Sequence, residues 1–107
     1  MTKLARYLFG IEEAKTISTR TIEGSSWYMA ADICRLLRIA SHSQAVHKHL
    51  TDQEWQPLTI FTGCSRRQVL MVNDSGMLKL IMLGRTDWAM SIQERARQTP
   101  DHLNTNL

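Results

Sequence analysis

Residues 27–50, WYMAADICRLLRIASHSQAVHKHL, constrain the fold of this chain more than any other stretch. They open as a strand and turn into a short helix, then bend through Ile39-Ala40-Ser41 into a second short helix. In the first helix, residues 30–38, Ile33, Leu36 and Leu37 fall at helical spacing, while Arg35 and Arg38 lie one turn apart on another face. Asp32 in its first turn complements the positive end of the helix dipole. Ser41 or Ser43 is expected to cap the second helix, which runs to about Leu50 and buries Val46 and Leu50. Ser43, Gln44, His47 and Lys48 are then left to point away from the core. No Asp or Glu stands between Asp32 and Asp52, whereas Arg35, Arg38, Lys48, His42, His47 and His49 all do. Two short helices with one unopposed basic side suit a polyanion.

Hairpins are expected on either side of this helical unit. TISTRTI at residues 16–22 is rich in β-branched residues, Glu23-Gly24-Ser25-Ser26 supplies turn chemistry, and Trp27-Tyr28-Met29 returns as a strand whose aromatics anchor the core. Downstream, residues 51–54 form a polar connection and Trp55 folds back onto the core. Residues 56–62 and 68–73 read as strands, with Pro57 suited to an edge. The five residues 63–67 between them form the turn, with Arg66 and Arg67 at or near its tip. Asn73-Asp74-Ser75-Gly76 offers caps for a deeply buried helix at 77–83, with Gly84 as its C-cap and Met71, Met77 and Met82 filling core gaps. Thr86 or Asp87 starts a last helix with Trp88, Ile92 and Ala96 on one side, stopped by Thr99-Pro100. The first 14 residues fit either a helical turn with Leu4, Leu8 and Ile11 together or an edge strand at residues 7–9. The expected architecture is one small α+β domain of short helices packed on β-hairpins, in a winged helix-turn-helix-like arrangement. It divides into an N-terminal segment at 1–15, the domain at 16–99 and a loose tail at 100–107.

At 107 residues the chain can build one modest core, and 43% hydrophobic with 21% charged residues is an ordinary soluble composition. No apolar run is long enough for a membrane span, and MTKLARYLFG lacks the apolar core of a signal peptide. A cytoplasmic protein with Cys34 and Cys64 as reduced thiols is therefore expected. A net charge of +3 says little alone, but acids are missing from 33–51 and again from 55–73, where Arg66 and Arg67 sit together. No C-x-x-C or H-x-x-x-H pair occurs, and His47 and His49 fall on nearly opposite sides of a helix, so no metal site is expected. A phosphatase-type loop at Cys64 would need an arginine where Leu70 stands. Neighbouring Arg66 and Arg67 would favour the Cys64 thiolate, giving mild redox reactivity at most. Nucleophile elbows, Walker loops and dinucleotide fingerprints are absent. Neither an enzyme nor a cofactor is expected.

What remains is the basic surface. In a winged helix-turn-helix the second helix would enter a major groove and offer Ser43, Gln44 and His47 to base edges. Arg35, Arg38, Lys48, Arg66 and Arg67 would contact phosphates, with the hairpin tip near the adjoining minor groove.

The same residues carry a family resemblance. Trp27, Tyr28, Ala30 or Ala31, Asp32, Ile33 and Cys34, then the short helix ending near Leu50, then Val72, Asn73, Asp74, Gly76 and Met77, and finally Leu80 to Leu83, Arg85 and Ala89, resemble the Bro-N domain. That is the N-terminal DNA-binding domain of baculovirus Bro proteins and of many phage and prophage antirepressors. The match spans roughly residues 16 to 90, and its specificity lies in the order and spacing of the motifs. The resemblance implies an α+β fold and duplex-DNA binding in gene regulation. Family members usually close with an aromatic-x-x-Trp-Val-x-x-Glu-Val-Leu-Pro segment, where this chain has IQERARQTP at 92–100, so its last helix is expected to pack differently. Antirepressors commonly carry a second, C-terminal domain, and none is expected here. A homodimer follows from how helix-turn-helix proteins gain affinity. The rival readings are a module that sequesters a repressor protein without touching DNA and, more weakly, an enzyme built around Cys64.

Overall fold

In the computed structural model, which describes residues 2–98, two tight turns build the sheet. Strands β1 (Thr19–Ile22) and β2 (Ser25–Met29) are joined by Glu23 and Gly24, whose φ angles of 51° and 82° make a two-residue turn that matches strand twist. Strands β3 (Trp55–Thr62) and β4 (Ser65–Val72) are joined by Gly63 and Cys64, with Gly63 at φ 60°. The expected five-residue connection is thus shortened to two residues, and Thr62 pairs with Ser65. Arg66 and Arg67 lie inside β4, opposite Phe61 and Ile60.

The four strands form one antiparallel sheet in the order β1-β2-β4-β3. β2 meets β4 only at Tyr28–Val72 and Met29–Met71. Beyond those pairs the β3–β4 hairpin is paired only with itself and continues as a two-stranded ribbon. Pro57 sits on the edge strand β3, where its missing N–H removes no ladder bond.

Helices α1 (Lys3–Phe9), α2 (Ile11–Ala14), α3 (Ala30–Leu36), α4 (His42–His49), α5 (Asp74–Ile81) and α6 (Asp87–Arg97) enclose the core with the base of this sheet. The result is a single α+β domain. The first residues are helical, so the edge-strand alternative is excluded. Thr2 Oγ1 caps α1 by accepting from Ala5 N at 3.1 Å, and Leu4, Ala5, Leu8 and Phe9 are buried. Gly10 ends α1, and Ile11 turns outward at 57% exposed instead of joining Leu4 and Leu8. Arg95 Nη1 donates to Leu8 O at 3.0 Å and Phe9 stacks on Trp88 at 6.1 Å, which ties α1 to α6.

α5 begins at Asp74, three residues before its expected start, because Asn73 Oδ1 accepts from Gly76 N at 2.9 Å. Met77, Leu80 and Ile81 are fully buried, but Met82 is 45% exposed and fills no core gap. Gly84 does not cap the helix through a left-handed conformation. A Cβ there would lie 2.6 Å from Ala89 Cβ, so its role is close approach of α6. The carbonyls at this end of α5 are satisfied by Gln93 Nε2, which donates to Ile81 O at 2.9 Å and Gly84 O at 2.8 Å. Thr86 caps α6, and Gln98 follows its last turn. The expected stop at Thr99-Pro100 and the tail lie outside the described residues.

Two polar links cross the core. Thr2 Oγ1, Tyr28 OH and Asp74 Oδ1 form a chain with 2.7 Å between neighbours. Glu54, 7% exposed, accepts from Thr51 N at 2.9 Å, Ser75 Oγ at 2.5 Å and Lys79 Nζ at 2.8 Å. Burial alone would raise the Glu54 carboxyl, but these donors and the Lys79 charge outweigh it and hold the pKa down, from 4.5 to about 2. A depressed acid pKa contributes stability that is complete above 4.5 and lost as pH falls through about 2. Asp74 acts oppositely, since burial raises its pKa and the Tyr28 hydrogen bond only partly offsets this. Replacing Glu54 with Gln is therefore expected to cost roughly 2 kcal/mol at neutral pH and little near pH 2. Urea unfolding at several pH values reads this directly; an equal cost at both ends would contradict the carboxylate's role.

Candidate functional site

α4 is positioned by its own sequence. Ser41 Oγ accepts from Gln44 N at 3.3 Å, and Ala45, Val46 and Leu50 are buried, as the spacing required of Val46 and Leu50. Ser43, Gln44, His47 and Lys48 are consequently exposed. The His47 ring packs edge-on against Trp55, with 4.8 Å between centroids and an interplanar angle of 85°. That contact fixes the imidazole against the first residue of β3 and limits its rotamers.

Facing α4 is the β4 strand. His42, Ser43 and His47 from α4, Arg67, Gln68, Val69 and Leu70 from β4, and Met29 and Ala31 line one concavity of about 360 Å³. No acidic residue lines it. Strand alternation puts Arg66 on the face of Gln68 and Leu70, and Arg67 on the face of Val69 and Met71. The two arginines therefore serve opposite faces of the ribbon. Among the described residues, Arg38, Lys48, Arg66 and Arg67 take part in no ion pair.

The other two arginines are placed elsewhere. Arg35 Nη1 binds Asp32 Oδ1 at 2.9 Å and its Nη2 reaches Thr16 O at 3.4 Å, so its charge is engaged within the fold. Asp32 does more than complement a dipole, since its Oδ2 also accepts from Ser18 N at 2.8 Å and ties α3 to the approach to β1. Arg38 is not on the helix with Arg35. It stands just past the end of α3 at φ 60°, with Ile39 N bonded back to Cys34 O at 2.8 Å. There it lines a separate concavity of about 620 Å³ with Glu13, Leu36, Thr86 and Trp88.

Of the eight residues singled out from the sequence, the structure thus gathers Ser43, His47 and Arg67 in one place, with Gln44 and Lys48 exposed on the same helix and Arg66 exposed on the same ribbon. His42 and Gln68 join them and were not foreseen as site residues. For Gln68 the signal in the sequence was its place directly after the Arg66-Arg67 pair in a stretch without acids.

Cys34 is buried, and burial pushes its thiol up to about 11, which leaves it un-ionised at neutral pH. Cys64 is exposed at the second position of the turn. Among the described residues no group of His, Cys, Asp and Glu could hold a metal ion, and no helix is long and apolar enough to cross a membrane.

No curated protein and no solved structure matches the chain. Residues 16–98, which run from the approach to β1 through α6, match the model of the BRO family, N-terminal domain. The chain belongs to the Bro-N family.

Proposed function

We propose that this Bro-N chain is a cytoplasmic regulator of the antirepressor kind that binds duplex DNA, and is not an enzyme. The observation that carries the reading is the shared concavity of α4 and β4, where the polar side chains of His42, Ser43, His47 and Gln68 and the cation Arg67 meet apolar residues with no acid among them. A major groove about 12 Å wide admits an α-helix. With α4 in that groove, Ser43, Gln44 and His47 face base edges, and Gln44 is suited to the paired donor and acceptor of adenine. Lys48, Arg66 and Arg67 reach phosphates, with the ribbon acting as the wing of a winged helix-turn-helix. Trp55 pre-orients His47, which lowers the ordering cost on binding. Arg35 supports the site through Asp32, and Arg38 lies too far round the domain to belong to its centre.

Gln44→Ala combined with His47→Ala tests the assignment of base-reading roles. Each lost base contact is worth about 1–3 kcal/mol, so preference for a genomic fragment over a scrambled duplex should fall at least tenfold while low-salt binding persists. Unchanged preference would remove α4 from base reading, and would fit a surface that sequesters a protein partner instead.

A further inference from the structure

Phe61 belongs neither to the hydrophobic core nor to the α4–β4 concavity. At 73% exposed it is the most open large hydrophobic residue among those described, and it stands on the self-paired part of the β3–β4 ribbon. Its cross-strand partner is Arg66, so the ring and the guanidinium share one face of the ribbon. Thr59 and Gln68 follow on the same face, and Phe61 also borders a concavity lined by Arg20, Thr21 and Ile22 of the first hairpin. From Trp55 to Asn73 the chain has no acidic residue, and Arg66 and Arg67 are its only charges.

A ring left in water on a core-forming strand would normally be covered. Here the core ends lower down, at Trp55, Leu70 and Val72. What the ribbon offers at its outer end is a cationic, acid-free surface with one aromatic projecting from it. That charge fits a polyanion and disfavours an acidic-free apolar partner. Proteins that reach into a minor groove commonly push an apolar side chain between base pairs while flanking arginines hold the backbone.

We propose that Phe61 is a wedge that enters a base step of duplex DNA from the minor groove, with Arg66 beside it on the backbone. The inference rests on the DNA-binding reading above. Partial unstacking at that step kinks the duplex toward its major groove and opens the minor groove around the ribbon, whose opposite face carries Arg67. Flexible pyrimidine–purine steps deform most readily, so Phe61 would add sequence preference without a hydrogen bond.

The test uses the full chain and short AT-rich duplexes carrying donor and acceptor dyes at their two ends, with anisotropy measured in parallel. Wild type should bind and raise end-to-end energy transfer. Phe61→Ala should bind about tenfold more weakly and leave transfer at saturation near that of free duplex, while Phe61→Leu restores most of the bend. Arg66→Ala should weaken binding yet keep the bend at saturation. An unchanged melting temperature for Phe61→Ala, expected for so exposed a ring, separates the effect from misfolding. Binding by wild type without bending, or equal bending by Phe61→Ala, overturns the wedge and leaves DNA binding standing. Absence of binding by wild type to any duplex at low salt overturns both.

Discussion

Gly76→Ala will lower the melting temperature by roughly 6–12 °C, corresponding to a loss of about 2 kcal/mol. In an open helix the same change would be stabilising by about 1 kcal/mol, because alanine is the better helix former. The site is not open. A Cβ at Gly76 would stand 2.8 Å from the backbone oxygen of Glu54, 3.1 Å from Val72 Cβ and 3.2 Å from Leu50 Cδ1. Glu54 O cannot simply retreat, since it accepts from Asn73 N at 3.1 Å. Asn73 is in turn the cap that holds Gly76 N. Relief of the clash therefore disturbs the cap of α5, the end of β4 and the segment bearing the Glu54 cluster together. Overpacking of this kind outweighs the propensity gain. Thermal denaturation followed by circular dichroism measures it. A melting temperature equal to or above wild type would show that α5 does not approach residue 54 so closely.

Arg66→Ala combined with Arg67→Ala is expected to weaken duplex binding at least tenfold at modest salt, for specific and scrambled sequences alike. Two lost phosphate contacts should also reduce the slope of log affinity against log salt by about 2. Both side chains are exposed and free of ion pairs among the described residues, so fold stability should stay within about 0.5 kcal/mol of wild type. Arg35→Ala is the contrasting case. It strips Asp32 of its 2.9 Å partner and should affect stability more than the salt slope. Equal slopes for wild type and the double variant would detach the ribbon from the interface.

What was legible in the sequence was mostly local. Val46 and Leu50 announce the buried side of α4 by their spacing, Ser41 its start, and the missing acids its character. The single α+β domain follows from short β-branched runs and short periodic helices in alternation. The misread features depend on partners distant in the chain or on backbone conformations the residue types do not advertise. GCSRR has the polarity of a loop, and only the pairing of Thr62 with Ser65 shows that three of its residues are strand. Arg38 occupies a left-handed position usually given to glycine, which separates it from Arg35. Gly10 broke the periodicity that would have revealed α1, whose cap at Thr2 is shared with Tyr28, 26 positions away. Glu54 looked like part of a polar connection, yet its partners Ser75 and Lys79 are 21 and 25 positions on. Gly84 sits where a helix cap belongs, and only the approach of Ala89 shows why a side chain is excluded.

The most direct test of the central claim is a fluorescence-anisotropy titration of the intact chain against genomic fragments and a scrambled duplex, repeated over a range of salt. Selective binding is expected, with an affinity that falls steeply with salt and a slope reflecting Lys48, Arg66 and Arg67 together, roughly −2 to −3 per bound chain. Affinity that is absent at low salt, or present and indifferent to salt, would contradict it.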